Sequence, residues 1–363
     1  MAEAWDNVGL IVGSESWEIG GPVLLTIDLT ERVAAEAERM KCAAVVAYHP
    51  PLFQSVKRIV DGSGSSASQR VALRMACAGI AVYSPHTALD AAAGGVTDWL
   101  ADGLIGEGTA DRRAIRPLAV REGTQELKLV TFVPESELDK VRAALATAGA
   151  GVIGNYTQCS FASHGTGTFH GNTASAPAMG KRGVFESVPE ARLEMVCSHR
   201  NLAIAIATLK QFHPYEEPPI DVYPLEAKPN RSVGVGRRLM LDHPVPLGEL
   251  AARLKRHIGG RTVQVGAAGG DMTVPVSCIG VVPGAGESVA AAARADGCEV
   301  FVTGEMRHHE VCAATASGMS VILGGHTATE RGYLPTLMQR LEQALPGVRV
   351  VLSAEDVDPL VCR

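Results

Sequence analysis

Aromatic residues are scarce, at 4% of the chain, so any core must be built mainly from Ala, Val, Leu and Ile. Positive charge is not in excess. Lys and Arg number 33 against 39 Asp and Glu, giving a net charge of −6 and a pI near 6.0. A nucleic-acid binder, which would present a basic face, is not indicated. No apolar run reaches the ~18 residues that a membrane-crossing helix needs. No basic-then-apolar signal peptide opens the chain. The eight cysteines, at 42, 77, 159, 197, 278, 298, 312 and 362, form no C-x-x-C pair, which argues against a disulfide scaffold at this length. We expect reduced thiols, most of them filling core space, in a cytoplasmic protein without membrane or nucleic-acid partners.

What is present is apolar bulk and a repeated alternation. The chain has 363 residues, is 46% hydrophobic and has a mean hydropathy of +0.12, enough for two or more domains. Residues 23–27 read as a buried strand, 30–40 as a helix capped by Thr30, 43–47 as a second strand, 69–78 as a helix and 80–83 as a third strand. The organised start at residues 2–13 leads us to expect that an N-terminal helix is missing from this version of the chain. Short continuous apolar strands alternating with helices indicate a mostly parallel sheet covered on both faces. From about 125 the pattern changes. Strands at 127–133, 193–198 and 220–225 and helices at 135–148 and 202–212, around a Gly/Ser/Thr-rich stretch to about 183, give a β-α-β-β-α-β reading of the ferredoxin-like kind. Residues 228–236 read as a return linker. The first style then resumes, with strands at 277–282, 299–303, 320–323 and 348–352 and helices at 289–295 and from His326 to about Leu341. The expected organisation is an α/β outer domain with a mixed, mostly parallel sheet, residues 1–124 and 227–363, interrupted by an α+β insert at 125–226.

The chemistry-bearing residues follow the strands. His-Thr-Ala-x-acid occurs twice, as His86-Thr87-Ala88-Leu89-Asp90 and as His326-Thr327-Ala328-Thr329-Glu330. A His and a carboxylate four apart on a helix share one face and can bind one ion. Tyr48-His49 and Glu305 with His308 and His309 also follow strands, and in open parallel sheets that end carries the ligand site. Any one cluster reads as loop or cap chemistry. Together they read as a shared metal site of mixed nitrogen and oxygen donors, suited to zinc, iron or manganese. A carboxylate bridging two ions would make a dinuclear centre that activates water. His308 and His309 point about 100° apart on a helix, so at most one faces the site. Three weaker signals read better as structure than as chemistry. Pro283-Gly284-Ala285-Gly286 is a tight strand-to-helix turn before it is a phosphate cradle. His213-Pro214-Tyr215-Glu216-Glu217-Pro218 is a proline-framed turn. Cys159 has no basic partner to activate it.

These residues resemble a known family, the Nif-three-like dinuclear metal-centre proteins, also labelled GTP cyclohydrolase I type 2 homologues. The likeness runs over nearly the whole chain. It is carried by Glu3-Ala4-Trp5-Asp6-Asn7-Val8-Gly9-Leu10, Tyr48-His49-Pro50-Pro51-Leu52-Phe53, His86-Thr87-x-x-Asp90, Thr303-Gly304-Glu305 with His308-His309, and Gly325-His326-x-x-x-Glu330. The insert, with Gly149-x-Gly151-x-x-Gly154-Asn155-Tyr156 and His213-Pro214-Tyr215-Glu216-Glu217, resembles the PII-like or CutA-like domain of longer members. The resemblance implies a toroidal homohexamer with two divalent ions per subunit, held by His49, Asp90, His326 and Glu330, with Glu330 touching both. Tyr48 stands where many bacterial members have a second His that binds the second ion. A phenol titrating near 10 is a poor ligand, so that position is expected to be weaker, taken by a ferric ion, or completed by water.

Two functions follow as expectations. One is a metal-dependent hydrolase acting on a small molecule, with His86, His308 or His309 moving the proton; the family label makes GTP one candidate substrate. The other is a non-catalytic metal-handling or regulatory scaffold with an effector-sensing insert.

Overall fold

The computed structural model describes every residue except 15, 18, 19, 61, 63, 121, 122, 261 and 361–363; Cys362 therefore lies outside the described residues. The chain divides into two compact units, Met1–Leu118 with Asn230–Arg363, and Ala119–Pro229. Among the described residues no helix is long and apolar enough to cross a membrane.

The larger unit is mixed α/β. Its first sheet runs in the order Gly9–Val12, Ala81–Ser84, Ala44–Ala47, Val23–Thr26, Val350–Leu352. All neighbours are parallel except the Gly9–Val12 edge. The second sheet runs Gln264–Gly266, Ser320–Leu323, Val300–Thr303, Pro275–Val281, Arg237–Pro246, Ala110–Arg113. Only its three central strands are parallel, and the other pairings are antiparallel. The inner strands are fully buried, as in Val23–Thr26 and Val300–Thr303, which explains their unbroken apolar sequences. The antiparallel strands escape a reading by apolar runs because they carry charge, as in Ala-Asp-Arg-Arg at 110–113. Helix Val96–Ile105 serves both sheets: Val96 packs with the first, Leu100 and Leu104 with the second, and Trp99 lines both clusters.

A buried arginine joins sequence-distant parts of this unit. Arg237 is 1% exposed. Its Nε donates to Asp98 Oδ1 at 2.7 Å, and its Nη1 to the Gly234 and Gly236 carbonyls at 2.7 and 2.8 Å. Its Nη2 reaches the carbonyls of Ala91 and Ala92 at 3.3 and 3.1 Å. A guanidinium can be buried only where most of its donors are matched, and here they are matched by both halves of the interrupted chain.

Two expectations need correction. The helix opening at His326 is two helices, Ala328–Arg331 and Leu334–Ala344. A side chain on Gly332 would collide with the Trp99 ring, and Pro335, which has no N–H, sits in the first turn of the second helix. The stretch at 228–236 is a strand, Lys228–Val235, in a two-stranded pair with Arg116–Val120; its Lys-Pro-Asn-Arg-Ser start masks it.

The smaller unit is a four-stranded antiparallel sheet in the order Ile220–Pro224, Leu127–Val133, Phe185–Cys197, Ser160–His170. Helices Leu138–Thr147 and His199–Phe212 share one hydrophobic cluster with it. Ser160–His170 falls within the Gly-rich stretch of the sequence and has no apolar face to announce it, being an edge strand. Cys42, Cys197, Cys278 and Cys298 are buried, whereas Cys77 and Cys312 are exposed and Cys159 is intermediate.

Arg237→Met should destabilise the protein by about 3 kcal/mol or more, because it leaves the Gly234, Gly236, Ala91 and Ala92 carbonyls without their donor and Asp98 with only Arg112 and the Gly94 amide. Arg231→Met, which breaks an exposed pair with Asp111, should cost less than about 1 kcal/mol. Denaturant unfolding of both variants checks this; equal losses would contradict the structural role given to Arg237.

Candidate metal centre

The site gathers at the C-terminal ends of strands from both sheets of the larger unit. Val23–Thr26 leads to Asp28, Ala44–Ala47 to Tyr48 and His49, Ala81–Ser84 to His86, Val300–Thr303 to Glu305, and Ser320–Leu323 to His326. The main chain continues the parallel ladder past its end: Tyr48 N–H donates to the Thr26 carbonyl and His49 N–H to that of Ile27. The strand ends thus fix where these side chains begin.

Each of three histidines has its Nδ1 held by a carboxylate. His49 donates to Asp28 Oδ1 at 2.9 Å, His86 to Asp6 Oδ1 at 2.7 Å, and His326 to Glu305 Oε1 at 3.0 Å. This fixes the tautomer and leaves Nε2 free to bind, the usual support for a metal-ligating imidazole. Asp6 is itself held by the Thr87 amide at 3.1 Å and hydroxyl at 2.5 Å. Burial would raise the Asp6 and Asp28 carboxyls, but their hydrogen bonds outweigh it and hold both below the usual range. His86 adopts a positive φ of 28°, and its ring lies edge-on to Tyr48, His49, Trp5 and Phe53.

Glu330 closes the centre. It is 3% exposed; its Oε2 lies 3.5 Å from His49 Nε2 and its Oε1 3.4 Å from His326 Nε2. Oε2 is buried with no hydrogen-bond partner. One donor atom each from His49, His326 and Glu330 falls within 4.8 Å of the others, a set that fits a divalent ion of the zinc, iron or manganese type. Burial opposes charge on His49, but the hydrogen bond to Asp28 and the nearby Glu330 carboxylate carry the imidazole up to about 10.

Asp90 and Tyr48 stand beside this trio and outside it. Tyr48 is 2% exposed and donates its hydroxyl to Asp90 Oδ1 at 2.6 Å. Burial, reinforced by the Asp90 and Glu330 charges, holds the phenol well above its ordinary value. Burial also pushes the Asp90 carboxyl up to about 8, with Glu330 adding to the rise and the Tyr48 bond opposing it.

Other candidates lie elsewhere. His308 and His309 begin helix His308–Ala316 and are exposed; the His308 ring is 3.5 Å from Cys312 Sγ. The turn at Pro283–Gly286 is not a phosphate cradle. Its Gly284 and Gly286 amides are taken by the Thr329 and Thr303 hydroxyls. Gly284, at φ +61°, instead leaves room for Glu330 Oε1, with which a Cβ would collide, and a Cβ there would lie 3.2 Å from His326 Nε2. In the smaller unit, buried His213 bonds the Phe132 carbonyl and the Tyr215 amide, as the rigid-turn reading expects. Sequence reasoning missed Asp28 and the pairing of Glu305. Their signal is position: each lies two residues beyond a buried strand.

Fold and site together define a mixed α/β protein with a candidate two-histidine, one-carboxylate metal site. The chain belongs to the Duf34/NIF3 (NGG1p interacting factor 3) family, whose sequence model matches residues 1–359. It is 32% identical to the GTP cyclohydrolase 1 type 2 homolog of Halalkalibacterium halodurans over 363 residues, covering 99% of this chain and 94% of that one. It is similar to the crystal structure of a Bacillus cereus protein related to NIF3, at 30% identity and a TM-score of 0.67, covering 100% of this chain and 94% of the other. Staphylococcus aureus protein SA1388 shares the fold at a TM-score of 0.78, with 24% identity and the same coverage.

Gly284→Ala should destabilise the protein by about 1–3 kcal/mol more than Gly297→Ala. Both glycines have positive φ, but a Cβ at 297 meets open space. Thermal melts of the two variants compare backbone strain alone with strain plus crowding of Glu330; equal shifts would contradict the packing described for the site.

Proposed function

We propose that the larger unit is a dinuclear metal centre and the protein a metal-dependent hydrolase of a small molecule. The observation that carries this is the buried Glu330 Oε2, facing His49 Nε2 without a hydrogen-bond partner. An unpaired carboxylate oxygen in the interior costs several kcal/mol, and a cation between it and the two Nε2 atoms removes that cost. His49, His326 and Glu330 form the first position. Asp90 and Glu330 would hold the second, where Tyr48 keeps its proton and orients Asp90 instead of binding strongly. When bound, divalent ions supply Lewis-acid polarisation and acidify water for attack on an electrophilic carbon or phosphorus. His86 is the residue suited to moving a proton, since Asp6 holds its Nδ1 and leaves Nε2 available. His308 and His309 fall outside this proposal because of their exposure and the His308–Cys312 contact. Purine-nucleotide ring opening is the first reaction to test, because relatives such as that of Halalkalibacterium halodurans are named GTP cyclohydrolase 1 type 2 homologs. We read the smaller unit as a ferredoxin-like, PII/CutA-like module, a reading supported by its antiparallel sheet order and its two helices on one hydrophobic cluster. We place the assembly as a homohexameric ring.

Glu330→Gln keeps the size and removes the charge. It should lose most bound metal by elemental analysis of folded protein; full retention would sink the ligand assignment. Tyr48→His should raise the metal-to-subunit ratio toward two, whereas an unchanged ratio would mean that Tyr48 does not limit the second position. Metal-loaded protein should turn over GTP or a member of a phosphoester panel. Inertness toward all of them, with readily exchanged metal, would favour a metal-handling role.

A further inference from the structure

We infer that the smaller unit carries a binding site of its own, for a small organic cation with an apolar body, such as a protonated arylalkylamine. The site is the cleft on the face of the four-stranded sheet opposite its two helices. Register assigns the faces. Leu129, Leu193 and Met195 point into the cluster shared with the helices. Phe132 pairs with Arg192, Arg192 with Ser163, and Glu190 with Gly165, so these residues share the opposite face. There they line a cleft of about 660 Å³, bounded also by residues 175–179 and 215–217. That volume suits a drug-sized or smaller ligand.

The walls are apolar and the fixed charge is negative. Phe132, Phe169, Met179 and Tyr215 supply the apolar surface, in a chain with few aromatic residues to spend. Glu190 is 9% exposed. Its Oε1 accepts the Tyr215 hydroxyl at 2.6 Å. Burial and the Glu190 charge hold that phenol above its ordinary value, so it stays a neutral donor. A side chain on Gly167 would collide with Glu190 Oε2; the glycine makes room for the carboxylate against the edge strand.

Two of the basic groups in the lining, Arg192 and His164, contact acids other than Glu190. Arg192 Nε donates to Glu194 at 2.7 Å, with its guanidinium 5.8 Å over the Phe132 ring. His164 Nδ1 lies 2.6 Å from Glu135. Glu216 accepts the Ala176 amide, which ties residue 176 across the cleft. A buried carboxylate bonded to one neutral hydroxyl is under-compensated. A ligand ammonium would pair with it, and the aromatic walls would add cation–π attraction.

The test uses two probes with one ring and opposite charge, tryptamine and indole-3-acetate, titrated by calorimetry into the full-length, metal-loaded protein. Tryptamine should bind at least tenfold tighter than indole-3-acetate. Glu190→Gln should weaken tryptamine about tenfold or more, while Tyr215→Phe, which frees Glu190 from its hydroxyl, should retain or tighten it. Thermal melts confirm that both variants fold. The proposal is overturned if indole-3-acetate binds as tightly, if neither tryptamine nor phenethylamine binds at millimolar concentration, or if Glu190→Gln leaves tryptamine unchanged. It does not rest on the metal reading, because Glu330→Gln should leave tryptamine binding as it was.

Discussion

One buried carboxylate governs the arrangement of this molecule. Glu330 is almost fully enclosed, faces two imidazole Nε2 atoms, and keeps one oxygen without a hydrogen bond. A protein interior does not retain such a group at no cost. The surrounding construction makes sense as the means of holding it. Gly284 lacks the side chain that would displace it. Thr329 sets the local turn, donating to the His326 carbonyl at 2.7 Å and accepting the Gly284 amide at 3.0 Å.

That constraint reaches across the chain. His49 comes from the first part of the sequence, and His326 and Glu330 from near its end, so neither part holds the site alone. The requirement is met by a rigid join. Arg237 ties its own strand to Asp98 and to the carbonyls of Ala91 and Ala92, close behind the Tyr48–Asp90 pair. Helix Val96–Ile105 packs between the two sheets. His49 and His326 then receive carboxylates from neighbouring strand ends, Asp28 and Glu305, and His86 receives Asp6 from the segment before the Gly9–Val12 strand. The intervening unit, Ala119–Pro229, contributes none of these residues and keeps a separate core.

The sequence carried much of this because buried parallel strands have an unambiguous signature. Val23–Thr26, Ala44–Ala47, Val300–Thr303 and Ser320–Leu323 all appear as apolar runs, and the residues that follow them include His49, Glu305 and His326. The elements that escaped were those in which pairing, not burial, makes the strand. Ser160–His170, Lys228–Val235 and Ala110–Arg113 carry glycine, proline or charge and gain their structure from a neighbour. The need for glycine at 332 comes from Trp99, far away in sequence. Asp28 was invisible as a partner of His49 for the same reason: hydrogen bonds between strand ends have no local pattern. The Tyr48–Asp90 bond shows how finely such contacts matter, since the expected ligand Asp90 is bonded to Tyr48, the residue expected to bind poorly.

The most direct measurement is anomalous diffraction from crystals of the full chain soaked in zinc or manganese. The account predicts a peak bonded to His49 Nε2, His326 Nε2 and a Glu330 oxygen at about 2.0–2.2 Å, with any second, weaker peak on the Asp90 side of Glu330. Strong metal peaks elsewhere, with none between His49, His326 and Glu330, would contradict it.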